Sequence, residues 1–293
     1  GESVVMRILD KASVVLDFSV LGFSPRTLER FLEILNLPHG IILVTGPTGS
    51  GKTTTLYTAL QTINTPERKI LTVEDPVEYQ LEGVNQIQVK PQINLTFANA
   101  LRAIVRQDPD VIMIGEMRDL ETAGIAVQSA LTGHLVLSTL HTNDAAGSVT
   151  RLLDMGVEDY LLTSTINGIL AQRLVRLLCT RCRQPYRALP ELVEEMRLQR
   201  FAATPDITLY KPIGCEHCGG TGYRGRAAIM EFLVMSDPLR RLVLKHADAG
   251  DLQDTAQKEG MDTMYEDGLR KAVAGLTTIE EVLRVTTQQE QEG

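Results

Sequence analysis

No apolar run in the 293 residues approaches the roughly 18 needed to cross a bilayer, and no signal peptide opens the chain. Neither a membrane-spanning helix nor secretion of the chain itself is therefore expected. Basic blocks are equally absent. Lys and Arg number 29 against 37 Asp and Glu, for a net charge of −8 and a pI near 5.3. Neither nucleic acid nor an anionic membrane is expected as a direct partner. Cysteine is scarce: four occur, all in two C-x-x-C pairs, which argues for metal binding in a reducing cytoplasm rather than a disulfide framework. Against these absences, 43% apolar residues supply ample core, and the length allows two or three domains. The start at Gly1, just ahead of the strand-like run 4–9, reads as the tail of an upstream domain over residues 1–22.

The chain is organised around Ile41-Ile-Leu-Val-Thr-Gly-Pro-Thr-Gly-Ser-Gly-Lys-Thr53. Four apolar residues predict a buried parallel strand, and a helical run through Thr54, Leu56, Tyr57 and Leu60 follows. Between them lies G-x-x-x-x-G-K-[ST] in full: Gly46, Pro47, Thr48, Gly49, Ser50, Gly51, Lys52 and Thr53. Glycines let the backbone curl so that N–H groups face phosphate oxygens, and the helix start adds partial positive charge. Lys52 is expected to reach the β- and γ-phosphates, and the Thr53 hydroxyl to ligate Mg²⁺. A glycine-rich turn that binds nothing is the bland alternative, and the readable strand and helix on either side disfavour it.

Upstream, Ser24-Pro25 signals a helix start, with Leu28, Phe31, Leu32 and Leu35 on one apolar face. Downstream, the strand Ile70-Leu-Thr-Val-Glu-Asp-Pro76 ends in acids. Carboxylates at such a strand end sit at the ligand crevice of an open α/β sheet, so Glu74, Asp75 and Glu78 are candidates to hold Mg²⁺ waters or orient the attacking water. Each taken singly is more often a solvated or capping acid. Thr96 caps the next helix, on which Arg102 and Arg106 are expected to share an outer face. Surface ion pairing is their commoner use; the sharper reading offers both guanidiniums to phosphates or to a neighbouring subunit. A further apolar strand, 111–114, meets Gly115 where an Asp commonly follows and binds the metal. Only Glu116 remains there, the first choice for polarising water, with Glu78 second.

A small-residue helix over 120–131 leads through His134 to the strand 135–140 and to His141-Thr-Asn-Asp144. His141, at the strand's C-terminal end, is the better candidate than His134 for sensing a γ-phosphate. A helix over 145–155 is expected to close the core. Cys179-Thr-Arg-Cys182 and Cys215-Glu-His-Cys218 then present four thiolates in two knuckles, the tetrahedral set that Zn²⁺ prefers. Redox chemistry would need only one pair. The intervening stretch reads as a helix over 190–201 and an irregular segment over 202–214. From 227 onward an apolar run and four helical stretches predict a small helical domain for packing or assembly.

Together these residues resemble the secretion ATPase superfamily, specifically the assembly ATPases of type II secretion and type IV pilus machines. The carriers are the phosphate loop 46–53, Thr72-Val-Glu-Asp-Pro-Val-Glu78, which looks like the family's Asp box, and Ile114-Gly-Glu-Met-Arg118, similar to its Walker B. Leu131-Thr-Gly-His-Leu-Val-Leu-Ser-Thr-Leu-His-Thr-Asn143 resembles its His box, and the four cysteines complete the set. The likeness implies an α/β fold with a RecA-like P-loop core over 23–178, a zinc module over 179–226 and a C-terminal helical domain over 227–293. It implies ATP as substrate, a hexameric ring, and work done in the cytoplasm on an inner-membrane platform that builds a pseudopilus. Family arginines reach ATP from neighbouring domains, and Arg102, Arg106 and Arg118 match such positions, with Arg7 a further candidate. The zinc module points to secretion and pilus-extension members, since retraction ATPases generally lack it. Rival readings are a RecA-like nucleic-acid motor, disfavoured by the acidic charge, and an inactive nucleotide-binding scaffold, disfavoured because Lys52, Thr53 and Glu116 are all present.

Overall fold

In a computed structural model of the chain, Val4 and residues 16–287 are described. Arg7 and all but the first residue of the run at 4–9 lie outside the described residues. A short helix α1 (Phe18–Leu21) precedes α2 (Pro25–Leu35), which Ser24 caps by accepting from the Thr27 N–H at 3.2 Å. Proline at the helix start loses nothing, because that N–H has no intrahelical partner. Phe31 and Leu35 are fully buried and Leu28 and Leu32 pack beside them, as their spacing predicts. β1 (Gly40–Thr45) is buried along its length, and α3 (Lys52–Ile63) follows the loop.

The chain then runs through β2 (Ile70–Glu74), β3 (Val84–Gln88), α4 (Phe97–Ile104), β4 (Val111–Ile114), α5 (Leu120–Leu131), β5 (Leu135–Leu140), α6 (Ala145–Asp154) and α7 (Asp159–Thr165). β6 (Ile166–Leu178), β7 (Gln184–Arg187), α8 (Pro190–Glu195), β8 (Thr208–Lys211) and β9 (Tyr223–Val234) follow. The helices α9 (Asp237–Val243), α10 (Ala249–Lys258), α11 (Met264–Val273) and α12 (Ile279–Thr286) come last.

Seven strands form one sheet in the order β3-β2-β4-β5-β1-β6-β9. The first six are parallel, and β9 runs antiparallel to β6. Helices cover both faces, which is why β1, β4 and β5 are buried throughout and read as continuous apolar runs. One core packs α4 to α7, α9 and α10 against the sheet, and the other packs α1 to α3. β1 lies between β5 and β6, and the crevice beyond its C-terminal end is the ligand position of an open α/β sheet.

The second half departs from the sequence reading. β6 and the hairpin β7–β8 were not expected, and the helix over 190–201 stops at Glu195, followed by a 3₁₀ turn at Leu198–Phe201. The boundary expected between 226 and 227 falls inside β9, so residues 227–234 belong to the main sheet. The cysteine module does not have a core of its own either. Val193, Leu198, Ile207 and Leu209 bury against Leu269, Ala272 and Ile279 of α11 and α12.

Candidate nucleotide site and cysteine cluster

The loop after β1 has the backbone that its glycines allow. Gly46, Gly49 and Gly51 take φ of 143°, 80° and 90°, a region that L side chains rarely adopt. A Cβ at Gly46 would lie 2.3 Å from the Gln172 carbonyl oxygen. Pro47, Thr48 and Gly49 are exposed at the tip, whereas Ser50 and Lys52 are buried. Lys52 Nζ donates to the carbonyls of Gly46 at 2.7 Å and Pro47 at 3.1 Å. Burial pulls this ammonium below the ordinary lysine range, and the Glu116 carboxylate partly offsets it. The buried Ser50 hydroxyl has no hydrogen-bond partner among the described residues. An orphaned donor, a glycine cradle and a poised cation fit a phosphate chain.

One brace of this loop was invisible in the sequence. Gln172, buried in β6, donates to the Ser50 carbonyl at 2.7 Å and accepts from the Thr55 hydroxyl at 2.9 Å. A polar residue among apolar ones in a strand carries no motif. Its signal is only that a buried amide must find partners. Beside the loop, Val20, Leu21, Gly51, Thr54, Leu174 and Arg226 line an open groove.

On the other side of Thr53 the acids gather. Thr53, Glu74, Asp75, Glu78, Glu116 and Thr139 line one cavity. Glu74 is buried and anchored, with one oxygen accepting from Tyr57 and the other from Thr72 and from Gln86, the last at 3.1 Å. Burial, then the hydrogen bond to Glu74, raises the Tyr57 phenol well above its usual range. Glu74 is thus a fixed wall of the cavity, while no such set of donors holds Glu78 among the described residues. Glu116 is positioned from both sides. Thr139 of β5 donates to the Gly115 carbonyl at 2.7 Å and its own carbonyl accepts from Met117 N–H at 3.1 Å. At Gly115 a Cβ would lie 3.3 Å from the Glu74 Cα, so the absence of a side chain there lets the ends of β2 and β4 meet closely.

Glu116, 11% exposed, pairs with Arg118 and lies 3.5 Å from His141 Nε2. Burial lowers the His141 imidazole below its ordinary value, the Lys52 charge adds to this, and Glu116 opposes it. The ring is therefore neutral near pH 7. His134 sits at the other end of β5, where Nδ1 meets the Ser129 carbonyl at 2.8 Å. Of the sequence candidates, then, Lys52, Thr53, Glu74, Glu78, Glu116, Arg118 and His141 converge. Arg102 instead pairs with Glu121 of α5 and donates to Asn99 at 3.0 Å, both on the surface. Arg106 lies past the end of α4, which stops at Ile104, in a 3₁₀ turn over Val105–Gln107.

The four cysteines come together. Cys179 and Cys215, Cys182 and Cys218, and Cys215 and Cys218 each have sulfurs 3.8 Å apart, and all four lie within 4.8 Å of one another. Thiolates held tetrahedrally at roughly 2.3 Å from a zinc ion sit about 3.8 Å apart, whereas a disulfide requires about 2.05 Å. The set fits a metal and is not a pair of disulfides.

Comparison with known proteins agrees with this geometry. The chain is 67% identical over 286 residues to type II secretion system protein E of Xanthomonas campestris pv. campestris, covering 98% of this chain and 50% of that protein. It is 51% identical over 286 residues to the type IV pilus assembly ATPase PilB of Thermus thermophilus, covering 98% of this chain and 32% of that one. The chain thus spans half or less of the length of these relatives. Among solved structures, the pilus retraction motor PilT with bound ADP superposes with a TM-score of 0.67 at 30% identity, over 92% of this chain and 67% of that one. Legionella pneumophila DotB shares the fold, with a TM-score of 0.65 at 24% identity over 92% of this chain and 65% of that one. The profile of type II/IV secretion system proteins runs from residue 1 to residue 284, through the phosphate loop, the acids, the histidine segment and the cysteines alike, and the chain belongs to that family.

Proposed function

We propose that this chain hydrolyses ATP and is the motor portion of a type II secretion ATPase. The observation that carries the reading is the convergence of Lys52, Glu116 and His141 beside a phosphate loop. Lys52, already bonded to loop carbonyls, would turn to the β- and γ-phosphates with little reorganisation. Glu116 would orient water so that its oxygen attacks the γ-phosphorus as the bond to ADP breaks, and would receive the proton. His141, neutral and beside Glu116, would report the γ-phosphate, and Glu78 is the second acid at hand. Mg²⁺, when bound, supplies charge neutralisation of the phosphate oxygens; Thr53 would hold it, with the acid-lined cavity behind. The groove by Leu21, Leu174 and Arg226 would take the base.

Identity of 67% to a type II secretion protein, against 51% to a pilus assembly ATPase, favours secretion over pilus extension. In this reading the chain works as a hexameric ring on an inner-membrane platform at the cytoplasmic face and drives pseudopilus assembly, with Arg102, Arg106 or Arg118 serving a neighbour's nucleotide. Among the described residues no helix is long and apolar enough to cross a membrane, so that attachment would run through partners. The rate per chain is then expected to rise with protein concentration. A dilution series with light scattering checks this, and a rate constant across the oligomer-to-monomer transition excludes a trans arginine.

Glu116→Gln tests the chemistry. It keeps size and one acceptor but not the base, so kcat is expected to fall by on the order of 10²-fold, with fluorescent ATP-analogue binding retained. Equal rates in variant and wild type would remove Glu116 from this role.

A further inference from the structure

The segment 141–144 brings His141 to Glu116 and then enters α6. Two buried charged side chains tie this stretch to the end of the chain. Arg173 of β6, 7% exposed, donates to Asn143 Oδ1 at 3.0 Å and to the Val285 carbonyl of α12 at 2.7 Å. Glu231 of β9, 3% exposed, accepts from the Ala145 N–H at 2.8 Å with one oxygen and from the Met264 N–H at 3.2 Å with the other. These are the first N–H groups of α6 and α11. In the strand register Glu231 faces Ala171 and Arg173 faces Ile229, so the two side chains stand diagonally on one face of the sheet.

Capping alone does not call for a carboxylate here. Asp144 already caps α6 through the Gly147 N–H at 2.6 Å, and Thr263 caps α11 in a reciprocal pair with Glu266. Burying an acid between the two is costly, and burial raises the Glu231 carboxyl to about 7 against the pull of the Ala145 and Met264 donors. Its distinctive property is that two oxygens bond two helices from different parts of the molecule. Beside it a cavity of about 390 Å³, lined by Asp144, Gln253, Met264 and Thr286 among others, leaves those helices room to shift.

We propose that Glu231 is a positioning residue that makes α11 follow the segment 141–144, so that the C-terminal helices move with the state of the bound nucleotide. The proposal rests on the reading of the loop 46–53 as an ATP site. Arg173 acts in parallel on α12. An amide at position 231 would keep one acceptor and set an NH₂ group against the second N–H, so Glu231→Gln breaks the bridge on one side.

Hydrogen exchange of the full-length protein, with and without a non-hydrolysable ATP analogue and Mg²⁺, reads the link. In the wild type, exchange is expected to slow at residues 46–53 and to change at 263–270. In Glu231→Gln the first response should persist and the second vanish. ATP turnover should then lose about tenfold in kcat, the equivalent of one charge-assisted hydrogen bond, with KM nearly unchanged. A wild type whose 263–270 amides ignore the nucleotide while 46–53 respond overturns the coupling alone. So does an undiminished 263–270 response in the variant. No response at 46–53 overturns the ATP-site reading and the coupling with it. Should the glutamine variant fail to fold, Glu231→Asp, which keeps the charge but is one methylene too short to reach both helices, takes its place under the same criteria.

Discussion

Lys52→Ala is expected to lower ATP turnover by at least roughly 10³-fold, the upper range for removing one preorganised electrostatic contact, without unfolding the protein. The loss follows from the charge inventory of the loop. Lys52 is its one cationic side chain, and its ammonium already rests against the carbonyls of Gly46 and Pro47, next to where phosphate oxygens would sit. Nothing beside it can substitute: His141 is neutral near pH 7, its value lowered by burial and by Lys52 itself, and Arg118 is paired with Glu116. Stability should move differently. A lysine whose folded-state pKa lies below its unfolded value is charged at a cost in the folded state, a cost fully present below the folded value, declining as pH rises through it and gone above the unfolded value. Alanine removes that cost, so the unfolding temperature of the nucleotide-free variant should not fall. What should disappear is the stabilisation by ATP, worth about 2.7 kcal/mol at a hundredfold excess over Kd. Phosphate release and thermal melts with and without Mg–ATP check both halves. Turnover within tenfold of wild type would take the phosphate-binding role away from Lys52.

The parts of the fold that the sequence disclosed are those where one local rule acts alone. α5 and β5 begin and end where small-residue and apolar patterning put them, and the phosphate loop follows from its glycines and Lys52. The four cysteines could be grouped by spacing, although their mutual distances could not be known. Two of the strands that escaped, β6 and β9, bury a polar side chain in mid-run. β6 carries Gln172 and Arg173 at its centre and β9 carries Glu231, each of which interrupts the apolar pattern by which a central strand is recognised. These are also the residues that brace the loop and the segment 141–144. The bonds that justify them reach across 30 to 122 positions in sequence, beyond the range of any local pattern. β7 and β8, four residues each, are too short to show alternation. The end of α4 before Arg106 was missed for a different reason: the helix gives way to a 3₁₀ turn at Val105, and periodicity in the sequence carries no sign of that change.

Removing metal is expected to unfold the module between the knuckles while the phosphate loop stays intact. The purified protein should contain one zinc per chain, held by Cys179, Cys182, Cys215 and Cys218. The sulfur spacing of 3.8 Å already matches a tetrahedral thiolate set. The surroundings prepare at least one ligand: burial raises the Cys218 thiol, but the N–H groups of Cys215 and Gly222, each 3.2 Å from its sulfur, outweigh it and hold it below the ordinary cysteine range. Binding free energies of structural zinc are roughly 10–16 kcal/mol, whereas a whole domain is stable by only about 5–15 kcal/mol. A segment of two four-residue strands and a six-residue helix that borrows its core from α11 and α12 has no reserve to replace that amount. After chelation, or in Cys215→Ser, cleavage by a nonspecific protease should concentrate between residues 184 and 214. Fluorescent ATP-analogue binding should survive, because β1, α3 and the loop share no ligand with the cluster. Elemental analysis and limited proteolysis read the two halves separately. Protein free of zinc, with all four thiols titrating freely under native conditions and the 184–214 region equally resistant before and after chelation, would show that packing alone holds the module.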